Sequence, residues 1–128
     1  MAYFEQVKNM VQDLGYEPEN ENLAEELFTI SDEENGINSL VIDCEDPILV
    51  LEMVVMPFSE RMEAVKLLQM NRGMVHGAFA LDESAGKVIW RDTLQLENLD
   101  YNELEGTINA LTLCLAEFSG ELLKLNQQ

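Results

Sequence analysis

The sequence predicts an α+β domain: one antiparallel twisted sheet packed by helices, in the order α-β-β-β-α-β-β-α. Two observations lead there. The chain opens and closes on apolar residues at helical spacing. Between them, apolar runs alternate with polar turns short enough to be hairpin connections. The 128 residues are 47% hydrophobic and show no shift of composition, so residues 1–128 are expected to form a single domain with its own core.

Residues 2–14 read as the first helix, with Phe4, Val7, Val11 and Leu14 on one stripe, Tyr3 and Met10 widening it, and Gly15 as its C-cap. "YEPENEN" reads as a polar linker. Three strands follow: "EELFTIS" around residues 25–31, "INSLVIDC", and "ILVLEMVVM". "DEENG" and "EDP" turn the chain between them, with Gly36 free to take positive φ. The third strand offers Leu49, Leu51, Met53 and Val55 on one face and Ile48, Val50, Val54 and Met56, with Glu52 among them, on the other. A half-solvated strand alternates apolar with polar, so the second face of this one calls for a cover, from another element or from a partner.

Pro57 ends that strand, and Ser59 is placed to cap a second helix of about residues 60–72. Met62, Val65, Leu68 and Gln69 fall on one side of it and Leu67 and Met70 on another, which suggests two contact surfaces. "VHGAFALD" and "KVIWRDTL" then flank "ESAG" as a hairpin, with Gly86 at the strained turn position. Asp82 reads as a turn residue, and Arg91 as a solvated side chain. In the last helix Asp100 and Glu103 form a capping box, and Leu104, Ile108, Leu111, Leu115, Phe118, Leu122 and Leu125 make a seam that covers the sheet.

Charge excludes whole classes of function. Twenty-five Asp and Glu oppose seven scattered Lys and Arg, for a net charge of −18. Phosphate backbones and anionic lipid headgroups are repelled, so neither nucleic acid nor a membrane surface is expected as a partner, while a basic partner is drawn in faster. Cys44 and Cys114 sit in apolar runs and read as reduced, buried thiols. With no leader-like N-terminus and no long apolar span, a cytoplasmic protein is expected.

No constellation carries chemistry. His76 is the single imidazole, and no nucleophile elbow surrounds a serine or cysteine. One His and two distant Cys make no zinc set. The acidic clusters "SDEENG" and "DCEDP" lack calcium-loop spacing and read as solvated turns. There is no phosphate-binding glycine loop. No enzyme activity, metal or cofactor is therefore expected. Among the seven methionines, Met53, Met56, Met62, Met70 and Met74 gather centrally, either as core filler or as an adaptable binding surface.

From residue 64 to 125 the chain reads "LLQMN", a glycine, "FALD", a turn glycine, "VIW", spaced leucines and an acid-capped leucine-rich helix. Leu67, Leu68, Asn71, Gly77, Leu81, Asp82, Gly86, Val88, Leu94, Leu99, Leu104 and Leu111 carry this pattern. It resembles the class I chaperones of type III secretion, the Tir-chaperone or CesT-like family; YbjN-like proteins share the same fold. Gln95 departs from the family, which often has Pro there. The resemblance implies a homodimer that acts without ATP. It would bind the extended N-terminal segment of a secreted effector through sheet edges and apolar grooves, and keep it soluble and secretion-competent. On that reading Met62, Val65, Leu68 and Gln69 lie near the dimer seam, and Tyr3, Val7, Met10, Leu27 and Phe28 line cargo grooves. The alternative implied is a YbjN-like regulatory or stress-related protein without secreted cargo.

Overall fold

The computed structural model describes residues 3–128. The elements run α1 (Phe4–Asp13), β1 (Glu19–Asn22), β2 (Leu27–Asp32), β3 (Ile37–Glu45), β4 (Ile48–Pro57), α2 (Ala64–Asn71), β5 (Ala78–Leu81), β6 (Lys87–Gln95) and α3 (Tyr101–Asn126). The expected α+β architecture is present, with one strand more than the sequence predicts. Six strands form one sheet in the spatial order β1-β2-β3-β4-β6-β5, every pair antiparallel.

The extra strand is β1, cut from the segment read as a linker. Its four residues are all exposed, so no apolar period announces it. Pairing with β2 creates it, across a register shift, and Asn20 takes a positive φ of 52°. The Asn20 side chain donates to Thr29 Oγ1 at 3.0 Å. Lys8 of α1 reaches Glu21 at 2.7 Å and ties the edge strand to the helix.

α1 ends as Gly15 predicts. Gly15, at φ 98°, donates to the Gln12 carbonyl, and Tyr16 donates to the Val11 carbonyl. That is the paired closure of a left-handed C-cap. The start expected at residue 2 lies outside the described residues. α3 carries the predicted capping box, with Asp100 and Glu103 each accepting from the other's end of the turn. Its 26 residues span about 39 Å at 1.5 Å each. Tyr101 Oη donates to the Asp13 carbonyl at 3.2 Å, and Gln128 bonds Glu63 in both directions at 3.0 and 3.2 Å. One end of α3 is thus tied to α1 and the other to the approach to α2.

The core lies on one face of the sheet. Phe28 and Ile30, Leu40, Ile42 and Cys44, Leu49, Leu51 and Met53, and Val88 and Trp90 meet Phe4, Val7 and Val11 of α1 and the seam of α3 there. Three local expectations fail, each for a physical reason. A register shift between Val54 and Met56 turns Met56 into the core in place of Val55. α2 begins at Ala64 rather than near residue 60, and Glu63 at its N-cap makes no side-chain cap bond, so Ser59 caps nothing. In the hairpin, Ala85 takes the positive φ of 58°, not Gly86. Asp82 fixes that turn by accepting from Gly86 and Lys87 N–H at 2.8 Å each, and these amides hold its carboxyl below the usual range. Arg91 is exposed, as expected, and also pairs with Glu52 across the β4–β6 ladder at 2.8 Å.

The methionines resolve as core filler: Met53, Met56, Met62 and Met70 are buried, and Met74 packs against the cluster. Gly77, at φ 75°, presses on the Trp90 indole so closely that a Cβ would lie 2.5 Å from the ring. Gly77→Ala should therefore lose about 3 kcal/mol in urea denaturation, from backbone strain and overpacking together. Gly120→Ala, in open space in the middle of α3, should gain up to about 1 kcal/mol.

Candidate partner-binding surface

Four surfaces stand outside the core: two sheet edges, the outer side of α2, and the sheet face that no helix covers. The edges differ sharply. Asn71, at the end of α2, accepts from Phe79 N–H at 2.7 Å and donates to the Phe79 carbonyl at 3.1 Å. One side chain thus closes both outward backbone groups at the centre of the β5 edge. At the β1 edge α1 reaches in only through the Lys8–Glu21 ion pair between side chains, and Glu19, Asn20, Glu21 and Asn22 are all exposed. An unpaired backbone edge of this kind is what an added strand requires.

The outer side of α2 presents Val65 and Leu68, 55% and 68% exposed, with Gln69 beside them. Met62, expected on the same side, is buried in the core. It precedes the true start of α2, so the helical spacing that placed it with Val65 does not apply. The five residues expected around the cargo grooves also separate. Val7 and Phe28 are fully buried between α1 and β2, and Tyr3 and Met10 pack half-buried against the same cluster. Leu27 lies next to Phe28 along β2, half-buried and outside that cluster, on the opposite side of the strand. The structure brings four of the five together and leaves Leu27 apart.

The second face of β4, expected to need a cover, carries no helix in the structure, and the β3 side of it was not singled out in the sequence. Val50 and Ile89 are buried there yet lie outside the core cluster, and Val54 is 54% exposed. A depression of about 310 Å³ opens on it, lined by Val41, Asp43, Glu45, Ile48, Val50, Glu52 and Arg91. "DCEDP", read as a solvated turn, supplies two of these residues. Asp43 and Glu45 belong to β3 and share a face with Val41. That period of two was the available signal. Asp43 Oδ1 is cut off from solvent without a hydrogen-bond partner. Burial, then a side-chain hydrogen bond with Glu45 and the charges of Glu45, Glu25 and Glu52, push the Asp43 carboxyl up to about 6.

Among the described residues neither cysteine is placed as a nucleophile. Cys44 and Cys114 are free and buried, and burial pushes both thiols up to about 11, away from reactivity. His76 is exposed. Among the described residues no group of three or more His, Cys, Asp and Glu is placed to hold a metal, and no helix is long and apolar enough to cross a membrane.

These features define an α+β protein with a one-sided core, two unlike sheet edges and one sheet face that no helix covers. The CesT_Tir_1 family model matches residues 1–128, and the chain belongs to that family of Tir-chaperone type. Among curated proteins no sequence matches. YbjN from E. coli has a similar structure, with a TM-score of 0.72 at 14% identity over 93% of this chain and 92% of that one. The ExsC–ExsE complex gives a TM-score of 0.64 at 22% identity, covering 94% and 95%. The Yersinia pestis type III secretion chaperone SycH, in complex with a fragment of YscM2, gives 0.60 at 14% identity, covering 96% and 98%. These likenesses establish a shared fold.

Asp43 makes pH a probe of the uncovered face. Unfolded, it titrates near its ordinary 3.8; folded, near 6. The folded state therefore holds the proton more tightly, and stability is lost as pH rises from about 4 through 6. Asp43→Asn should stabilise the protein by about 1 kcal/mol at pH 7.5, after discounting for solvent screening, and by nothing below pH 4. Thermal melts at both pH values check this.

Proposed function

We propose that the protein is a secretion chaperone. It binds the extended N-terminal segment of a secreted effector in the cytoplasm and keeps it soluble and secretion-competent without ATP. The observation that carries the reading is the family match over the whole chain. The unprotected β1 edge supports it, because an extended segment can add there as a further strand. Main-chain bonds then supply affinity, and apolar side chains between Tyr3 and Met10, above buried Val7 and Phe28, supply selectivity. Nothing in this mode consumes a nucleotide. Purification from the native host with mass spectrometry tests it: one abundant exported protein should co-purify, and its absence under secretion-inducing conditions counts against the reading.

We place the dimer seam on the outer side of α2, at Val65, Leu68 and Gln69, with Met62 supporting it from the core side. Two exposed large aliphatic side chains one helical turn apart are what a second copy would cover. Val65→Asp with Leu68→Asp should give folded monomers in sedimentation, and an unchanged dimer refutes the seam. Met62→Asp is the wrong test here, because it buries a charge and unfolds the domain.

A YbjN-like regulatory role without secreted cargo is the second reading, favoured by the TM-score of 0.72 to YbjN. A gene standing apart from any secretion apparatus would support it.

A further inference from the structure

We infer that the uncovered face of the sheet, at the depression between β3 and β4, docks a segment of a partner polypeptide by taking in one of its lysine or arginine side chains. This rests on the partner-binding reading above and names the chemistry of one contact. The site lies on the face of the sheet opposite the groove between α1 and β2.

The register builds a small checkerboard. Asp43 pairs with Val50, Glu45 with Ile48, and Val41 with Glu52, while Glu52 pairs in turn with Arg91. Carboxylates therefore alternate with branched apolar side chains over the depression. A lysine or arginine has the matching build, an apolar stem and a charged head. Its stem would lie over Val41, Ile48 and Val50 while its head reaches Asp43 and Glu45.

Charge counting shows that the place is not already filled. Arg91 is the one cation lining the depression, and it is engaged with Glu52 at 2.8 Å. Asp43 and Glu45 sit side by side within hydrogen-bonding reach, and Asp43 Oδ1 is cut off from water. Below about pH 6 two such carboxylates share a proton, and above it a cation relieves their repulsion. The raised Asp43 pKa agrees with the first state in the isolated chain. A guest ammonium or guanidinium would displace that proton. A metal ion fits poorly, since three of the seven lining residues are aliphatic and a fourth is Arg91.

Charge also selects the occupant. This chain carries seven basic against 25 acidic residues, scattered along the sequence. A second copy would bring far more repulsion than complement to this face. A different, basic-and-apolar polypeptide is the fitting guest, and the net charge of −18 steers it in.

The test uses a synthetic probe, the capped pentapeptide acetyl-Val-Lys-Val-Lys-Val-amide, followed by methyl NMR of the full chain. At about pH 7.5 the methyl signals of Val41, Ile48 and Val50 should shift saturably. Asp43→Asn with Glu45→Gln should weaken binding about tenfold, and so should lowering the pH to about 5. Glu33→Gln with Glu34→Gln, which removes the same charge from a distant turn, should leave binding unchanged. Equal weakening by both double variants would reduce the effect to general attraction and overturn the proposal. So would equal binding of a peptide with norleucine in place of lysine, or shifts confined to other surfaces. Self-association through this face, revealed in sedimentation by loss on Val50→Lys, would assign it to a second copy and also overturn it. Co-purification of an exported protein, with no lysine-peptide binding, would leave the chaperone reading standing and sink this one alone.

Discussion

Trp90 sits where the buried face of the sheet, the segment leading into β5 and the position of α2 meet. Its indole is fully buried, pressed by the Gly77 backbone and paired across the ladders with Met53 and Phe79. Gly77 is tolerated there because it has no Cβ and accepts positive φ. Holding that segment against the indole fixes how α2 returns to the sheet. The end of α2 then delivers Asn71 to Phe79, and the β5 edge closes. Phe79 also meets Phe118 of α3 edge-on at 6.3 Å, so the same corner engages the long helix. Core packing at one residue thereby decides which edge of the sheet can accept a strand.

Burying one side of the sheet has a second consequence. In β3, β4 and β6 every core residue has neighbours that must point the other way. Over β3 and β4 those neighbours are Val41, Asp43, Glu45, Ile48, Val50 and Glu52, neither a clean polar surface nor a core. The mixture is costly in isolation. Desolvation by the valines raises Asp43, and the neighbouring acids raise it further. The Arg91–Glu52 pair relieves one carboxylate, and its exposure makes it worth little as a stabilising contact. A folded chain keeps such a face more readily when something else lies against it.

Much of this was legible in the sequence, and the failures share a cause. α1, the middle strands, the hairpin and α3 with its capping box follow from periodicity and local caps. β1 does not, because an edge strand of Glu and Asn has no apolar residue to bury and exists through pairing with β2. The faces of β4 were misassigned past Val54, since one register shift reverses every later side chain. Met62 was grouped with Val65 on a helical period before the helix begins. Leu27 was grouped with Phe28, although neighbours in a strand point apart. Asp43 was hidden by its company: in a chain with 25 acids, one carboxylate drew no notice until its burial was known. The edge closed by Asn71 was likewise invisible, because a contact between α2 and β5 is tertiary information.

The sheet order separates the surfaces in a way that bears on assembly. β5, beside α2, and β1 lie at opposite margins, five interstrand steps of about 4.8 Å apart, or some 24 Å. A dimer made through the outer side of α2 occupies the β5 margin, where strand addition is already blocked. It leaves the β1 edge clear, and beside it the face between β3 and β4. An extended basic segment that paired along β1 would therefore need no room at the dimer seam. Both copies could be loaded at once, and the repulsion between two chains of charge −18 would fall as each took up a basic guest. On the proposed reading, dimerisation and loading would be coupled through charge, without any movement of the core.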